Sequence, residues 1–262
     1  MSRRQVVAGL AAVALSSPAR TETLGRKGAA AGLRVGSAVR SAGLDDPRLC
    51  DLLVSQVTTL TPELELKWAA LAPAPDRRDV EGADRVAAFA RAHGKRLRGH
   101  TLLWHRSIPE WGRRELASGA GWDIVARHID ETIGRYGALV DEWDVVNEPI
   151  EIGGRPDNLR GGVFLDAFGS NYIARALRTA HAAAPAARLL INEYDLEYAL
   201  PEDRARRAAL LRLARNLVEH EAPLHGIGIQ AHLDLGKGPI ADAELREFVE
   251  AIGALGLTVT IT

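Results

Sequence analysis

A disulfide bond within this chain is excluded, because Cys50 is its only cysteine. No Cys/His spacing typical of a metal site is present either. Neither sign of charge dominates: 33 Lys and Arg residues are balanced by 34 Asp and Glu residues, for a formal net charge of −1. This balance gives no indication of a nucleic-acid partner or a membrane-surface partner.

A long hydrophobic run is also missing. The apolar run at residues 6–15 is too short for a membrane-spanning helix, which needs about 20 residues. It follows the pair Arg3-Arg4 and precedes small residues that end at Ala19. This pattern is typical of a twin-arginine signal peptide. We therefore predict a signal peptide over residues 1–19 and a secreted or periplasmic protein; a disordered or helical N-terminus is the alternative.

Short β-like runs alternate with helical segments from residue 33 onward. In one helical segment Leu245, Phe248, Val249 and Ile252 recur at the spacing of a single apolar helix face. Strands that alternate with helices indicate a parallel sheet built from right-handed βαβ units. The predicted strands cover residues 33–39, 57–60, 96–104, 140–147, 189–192, 226–232 and 257–262.

Two α/β architectures can hold such a sheet, and the sequence favours one of them. An open doubly wound sheet usually has a Gly-rich phosphate loop after its first strand, and neither Gly36 nor Gly43 belongs to one. A barrel instead collects functional residues at the carboxyl ends of several strands. We predict that residues 20–262 form a (β/α)8 TIM barrel, C-terminally truncated, with about seven strands present. The polar residues at the predicted strand ends are Glu63, Lys67, His100, Trp104, Asn147, Glu148, Asn192, Glu193, Gln230 and His232.

One strand end carries a residue pair with clear chemistry. Asn147 and Glu148 end the strand at 140–147, and Pro149 then breaks it. A glycosidase needs one carboxylic acid that protonates the leaving oxygen and a second carboxylate on the other side of the sugar. The neighbouring amide can hydrogen-bond a sugar hydroxyl. This pattern predicts Glu148 as a catalytic acid/base; a surface glutamate at a strand end is the alternative.

Two further strand ends add sugar-binding groups. His100 and Trp104 bring an imidazole, which can hydrogen-bond hydroxyls, and an indole, which can stack on a sugar ring. Gln230 and His232 alternate along the strand at 226–232, so we expect them on the same face. Two polar groups that point inward at a strand end indicate a site, because unpaired buried polar groups are costly.

Taken in chain order, these motifs resemble glycoside hydrolase family 10, the endo-β-1,4-xylanases built on a (β/α)8 barrel. The resemblance runs from about residue 33 to the last residue. Gly-His-Thr-Leu-x-Trp-His followed by Asp-Val-Val-Asn-Glu is a specific combination. The positions that carry it are Glu63, Lys67, Trp68, residues 99–102, Trp104, His105, residues 143–148 and residues 230–232.

The resemblance implies a retaining enzyme that hydrolyses internal β-1,4-xylosidic bonds of xylan, without metal or organic cofactor. Xylan or xylo-oligosaccharides would be its partners, and we expect a monomer. Glu148 would be the acid/base, and Asn147 would bind the 2-hydroxyl of the glycone sugar. Glu63, Lys67, His100 and Trp104 would line the glycone subsites, and Gln230 and His232 would flank the nucleophile.

The sequence departs from the family pattern at several positions. Leu64 replaces an Asn that binds the glycone sugar, and Ser107 replaces the usual Gln. In the family, a strand like the one at 257–262 continues into Glu-Leu-Asp, whose Glu is the nucleophile. We therefore expect the nucleophile just past Thr262, and no retaining activity from the chain as given. Glu193 is expected to face the same mouth, which makes it a weaker candidate for that role.

Other interpretations stay open at this point. The chain could be an inactive xylan-binding fragment or pseudoenzyme, or a barrel glycosidase that acts on another β-linked glycan. If an eighth strand is missing, the first and seventh strands become open sheet edges, which invite aggregation.

Overall fold

The computed structural model describes residues 22–119 and 121–262. They contain one sheet of seven strands, all parallel to their neighbours and arranged in chain order. The predicted signal peptide at residues 1–19 lies outside the described residues. The strands are β1 (Gly36–Val39), β2 (Thr59–Pro62), β3 (Arg96–Trp104), β4 (Val140–Asn147), β5 (Arg188–Glu193), β6 (Gly226–Ile229) and β7 (Thr258–Ile261).

Helices lie between the strands, as the alternating pattern predicts. None of those in the described part of the chain is long and apolar enough to cross a membrane. Short 3-10 helices cover Ser41–Asp45, Gly137–Leu139 and Leu235–Lys237. The α-helices are α1 (Leu24–Ala30), α2 (Pro47–Gln56), α3 (Trp68–Leu71), α4 (Glu81–Ala92), α5 (Glu110–Ala117), α6 (Asp123–Tyr136), α7 (Val163–Phe168), α8 (Tyr172–Ala183), α9 (Pro201–Glu219) and α10 (Asp242–Gly253).

Local sequence explains where several helices begin and which face they bury. The Asp46 side chain accepts a hydrogen bond from the backbone N–H of Arg48 at 2.9 Å, and Pro47 occupies the first turn of α2. An N-cap carboxylate and a proline at this position both favour a helix start. In α10, Phe248 and Ile252 of the predicted apolar face are buried in the core.

The sheet is curled, so that its edges approach its middle. Arg34, just before β1, forms an ion pair with Asp141 of β4 at 3.0 Å. From the other edge, the Thr260 hydroxyl of β7 donates to Glu142 Oε2 of β4 at 3.4 Å. The concave face of the sheet encloses a cavity of about 1340 Å³. Within the described residues, β1 and β7 are the edges of the sheet.

Three predicted strands differ from the observed ones by two residues or more at an end. β1 begins at Gly36 rather than at residue 33, and β2 begins at Thr59 because Val57 is still the C-cap of α2. The prediction of a strand to residue 232 is wrong: β6 ends at Ile229, and Ala231 has a left-handed backbone with φ of 48°. A residue in this conformation turns the chain out of a sheet.

The contact between β3 and β4 leaves no room for a side chain at Gly99. This glycine is paired with Trp143, whose indole is fully buried. A Cβ added at Gly99 would lie 2.0 Å from Trp143 Cε3. The two strands can therefore approach only because position 99 has no side chain.

Gly99→Ala is therefore expected to destabilise the fold by about 1–3 kcal/mol, the usual effect of overpacking a core. Urea denaturation should show a lower midpoint with an unchanged slope. Gly134→Ala in α6 is the matched control, since a Cβ there meets nothing within 4 Å. It should raise the stability by up to about 1 kcal/mol, because Ala is the better helix former. Equal midpoints for the two variants would contradict the packing explanation.

Candidate active site

The cavity on the concave face collects the residues predicted for the site. All of them lie on its wall, although their individual roles stay predictions. Among the described residues, no group of three or more His, Cys, Asp and Glu side chains could hold a metal ion. The predicted site residues on the cavity wall are Glu63, Lys67, His100, Trp104, Asn147, Glu148, Gln230 and His232.

Glu148 follows the last residue of β4 and is buried. Its backbone is left-handed, with φ of 58°, and its N–H donates to the carbonyl of Asn192 at 2.7 Å. Oε1 of its carboxyl group accepts from Asn147 Nδ2 at 3.3 Å and from Gln230 Nε2 at 3.4 Å. Oε2 lies 3.9 Å from His105 Nδ1. The carboxyl group is thus oriented by one donor in β4 and one donor just after β6, and it faces the cavity.

A network of side-chain amides fixes the orientation of Asn147. Its Oδ1 accepts from Asn192 Nδ2 at 3.0 Å and from Gln230 Nε2 at 3.2 Å. The Thr262 hydroxyl donates to Asn192 Oδ1 at 2.9 Å. Gly228 makes room for this network, because a Cβ there would lie 2.1 Å from Asn192 Oδ1. With Oδ1 of Asn147 occupied, its Nδ2 is directed at Glu148.

Lys67 and Trp104 form another part of the wall. Lys67 Nζ lies 4.5 Å from the centre of the Trp104 ring. Burial lowers the pKa of the Lys67 ammonium group, although the carboxylates of Glu63 and Glu148 act in the other direction. Glu63 accepts a hydrogen bond from Arg40 at 2.7 Å, which holds the pKa of Glu63 below its usual value. A cation, an indole and carboxylates on one wall suit a ligand with many hydroxyl groups.

Buried charges lie deeper in the cavity, on β3 and β4. Arg98 forms ion pairs with Glu142 and Asp144. Asp144 Oδ2 also lies 2.9 Å from His100 Nδ1. Burial alone would raise the pKa of Asp144, but Arg98 and His100 together hold this pKa below its usual value. The sequence interpretation did not assign Arg98 or Asp144 a role at the site, although their alternation within two buried strands signals that they point inward.

Simple alternation along the strands does not account for every residue on the wall. The register between β4 and β5 shifts between Asp144 and Val146, so Asn147 rather than Val146 reaches the main cavity. Gln230 and His232 both line the cavity, but not as members of a strand, since β6 ends before them. The left-handed turn at Ala231 directs them there, with Gln230 buried and His232 exposed.

The expectation that Glu193 faces the mouth is wrong. Its neighbour Asn192 lines the cavity, whereas Glu193 points to the other face of β5 and is fully buried. Glu193 Oε2 accepts from the backbone N–H of Ile150 at 2.9 Å, and Oε1 lies 3.7 Å from Arg206 Nη1. Burial raises the pKa of Glu193 to about 8, against the effect of Arg206. A carboxyl group outside the cavity cannot attack a bound sugar.

Two further residues on the wall were missed by the sequence interpretation. Arg160 and Tyr194 both line the cavity, and Arg160 Nη2 donates to the Tyr194 hydroxyl at 3.1 Å. Arg160 lies in the loop between β4 and α7, outside any strand or helix. No local pattern marks a loop residue of this kind, so only its position in the fold reveals it.

His105 should be neutral across the physiological pH range. Burial, reinforced by the nearby charge of Arg160, lowers the pKa of the His105 imidazole to about 4. An unfolded histidine has a pKa of about 6.5, so the folded state binds fewer protons between these values. The contribution of His105 to stability therefore decreases as the pH falls through this window. An NMR titration, assigned with His105→Asn, should give a midpoint near 4; a midpoint near 6.5 would contradict the assignment.

Comparison with known proteins places this geometry in a family. The sequence profile of Glycosyl hydrolase family 10 matches residues 24–262. Endo-1,4-beta-xylanase A of Phanerodontia chrysosporium is 32% identical over 252 residues, which cover 95% of this chain and 59% of that protein. A beta-1,4-xylanase of Dictyoglomus thermophilum is 35% identical over 216 residues, covering 81% of this chain and 58% of that protein. The chain thus spans less than two thirds of the length of these relatives.

Solved structures agree with the sequence relatives. Xylanase XynB from Paenibacillus barcinonensis, complexed with a conduramine derivative, has a TM-score of 0.80 at 30% identity, covering 93% of this chain and 72% of that one. A mutant in complex with xylotriose has a TM-score of 0.78 at 30% identity, covering 87% and 69% of the two chains. The predicted fold, seven strands of a (β/α)8 barrel, is confirmed. The chain belongs to glycosyl hydrolase family 10.

Proposed function

We propose that this protein is a retaining endo-β-1,4-xylanase that hydrolyses internal β-1,4-xylosidic bonds of xylan, with Glu148 as the general acid/base. The observation that carries this proposal is the position of the Glu148 carboxyl group, oriented by Asn147 and Gln230 on the wall of a large cavity. The related proteins are named as xylanases, which supports the substrate class.

In the proposed reaction, Glu148 takes part in both steps. Its carboxylic acid form protonates the oxygen of the departing sugar while the bond between that oxygen and the anomeric carbon breaks. A second carboxylate attacks the anomeric carbon, which forms a covalent glycosyl-enzyme. Glu148, now a carboxylate, then removes a proton from water as the water attacks the same carbon and releases the second carboxylate.

The groups around Glu148 suit a xylan chain in the cavity. Asn147 and His100 can hydrogen-bond sugar hydroxyls, and the Trp104 indole offers a flat apolar surface. Lys67 and Glu63, on the same wall, supply one strong donor and one strong acceptor. We assign these residues to the glycone side. Gln230 and His232 would flank the second carboxylate.

The second carboxylate has to stand about 5–5.5 Å from the first in a retaining enzyme. We place it directly after Thr262, at the carboxyl end of β7. Two contacts support this position: the Thr262 N–H donates to the Ile229 carbonyl at 2.8 Å, and the Thr262 hydroxyl donates to Asn192 at 2.9 Å. These bonds hold the end of β7 beside the amide network that orients Glu148.

Extension of the chain tests this assignment. Release of xylo-oligosaccharides is expected from a protein that continues past Thr262 with Glu-Leu-Asp and the remaining strand and helices, and not from the 262-residue chain. The matched control has Gln in place of the added Glu. Hydrolysis with retention by the 262-residue chain would show that another carboxylate is the nucleophile. Binding of xylotriose without hydrolysis by the extended protein would instead indicate a binding function.

Glu148→Ala in the extended protein should lower kcat/KM on xylan by about 10²–10⁴-fold, the usual contribution of general acid–base catalysis. The decrease in kcat/KM on a dinitrophenyl xylobioside should be much smaller, because its leaving group departs without a proton. Glu110→Ala, which removes an exposed carboxylate from α5, is the control and should leave both rates unchanged. Equal losses on the two substrates would exclude Glu148 from the acid role.

A further inference from the structure

The backbone of Glu148 needs support from its surroundings. With φ of 58°, this residue lies in the left-handed region, which L side chains adopt at a cost in energy. Such conformations persist only where surrounding contacts determine them. The donors to its carboxyl group, Asn147 and Gln230, act on the side chain and leave the following carbonyl groups free. The Glu148 N–H is bonded to the Asn192 carbonyl, so a further group has to hold the chain after Glu148.

Arg160 contacts the carbonyl groups of three successive residues in this segment. Its Nε donates to the Glu148 carbonyl at 2.7 Å, and its Nη2 donates to the Ile150 carbonyl at 2.7 Å. Its backbone N–H donates to the carbonyl of Pro149, also at 2.7 Å. Nη2 reaches the Tyr194 hydroxyl at 3.1 Å, which ties the arginine to the end of β5. The side chain is largely buried, so these bonds are shielded from water.

The other side of the same segment is held from β5 and α9. Glu193 accepts from the N–H of Ile150 at 2.9 Å, and Arg206 Nη1 donates to the carbonyl of Ile150 at 2.9 Å. The peptide groups on both sides of Ile150 are therefore fixed. Arg160, Glu193 and Arg206 all bond to the backbone of Ile150, and we call them the Ile150 clamp. Within it, only Arg160 bonds to Glu148 itself.

We propose that Arg160 is a positioning residue, which keeps Glu148 in its left-handed conformation and thereby keeps its carboxyl group between Asn147, Gln230 and the reacting bond; this inference rests on the proposed role of Glu148. The guanidinium group is essential to this task. It presents donors in a planar fork that can reach two carbonyl groups at once, whereas a lysine ammonium is a single point donor. A cationic charge without this fork is not sufficient to hold both carbonyl groups.

The test compares Arg160→Lys and Arg160→Met in the extended protein. Both should lower kcat/KM on xylan by about 10²-fold, since a misplacement of about 1 Å can cost this much. The decrease in kcat/KM on the dinitrophenyl xylobioside should be much smaller, because this substrate does not need the proton from Glu148. Arg155→Met is the matched control: this arginine lies in the same loop, pairs with Asp157 at 3.0 Å and should be neutral. Xylotriose affinity should stay within about twofold in all variants.

Several outcomes would overturn the inference. Full activity of Arg160→Lys would show that only charge matters, and equal losses on both substrates would show a general structural role. Crystal structures of the Arg160 variants decide the question without activity. In these structures residue 148 is expected to leave the left-handed region. If Asn147 and Gln230 still donate to the Glu148 carboxyl group as in the parent protein, the inference is contradicted. If Arg160→Met does not fold, Arg160→Gln, which keeps a donor, replaces it. If the extended protein without these substitutions is inactive, only the proposed function is refuted.

Discussion

The pairing of buried charges between β3 and β4 is the constraint on which the rest of the site depends. Arg98 lies between Glu142 and Asp144, and Asp144 also contacts His100. Desolvation offsets most of the attraction in such a cluster, but removal of one partner typically costs about 3–5 kcal/mol. Any other register of the two strands would leave charges unpaired. The cluster thus specifies where Trp104 and Asn147, at the ends of these strands, come to lie.

Left-handed residues recur where the strands meet the cavity. Glu148 follows β4, Asp195 lies two residues after β5, and Ala231 lies two residues after β6, all with φ near 50°. Each turn sends the chain away from the sheet within one or two residues, so the side chains before it stay at the rim. None of the three is a glycine, so tertiary contacts have to stabilise the turns.

The two carboxyl groups at the ends of β4 and β5 illustrate how neighbouring positions acquire different roles. Glu148 reaches the cavity and has amide donors on one oxygen. Glu193 lies behind the sheet, bonded to the Ile150 N–H, with a pKa raised to about 8 by burial. Glu193 supports the loop after β4, in which Glu148 is held. The proposed catalytic acid and the residue that supports its loop are thus of the same type and lie on opposite faces of the sheet.

The sequence by itself determined the order and type of the elements and the eight predicted site residues on the cavity wall. Hydrophobic periodicity reports directly on strands and helices, and in a parallel barrel all strands end at one rim, so Glu148, His100 and Trp104 could be placed together. Only the tertiary structure decided the direction of Glu193, the turn at Ala231 and the contacts of Arg160. The direction of a side chain after a strand depends on backbone dihedral angles and register shifts, and a loop arginine finds its partners only in the folded chain, so local patterns do not encode them.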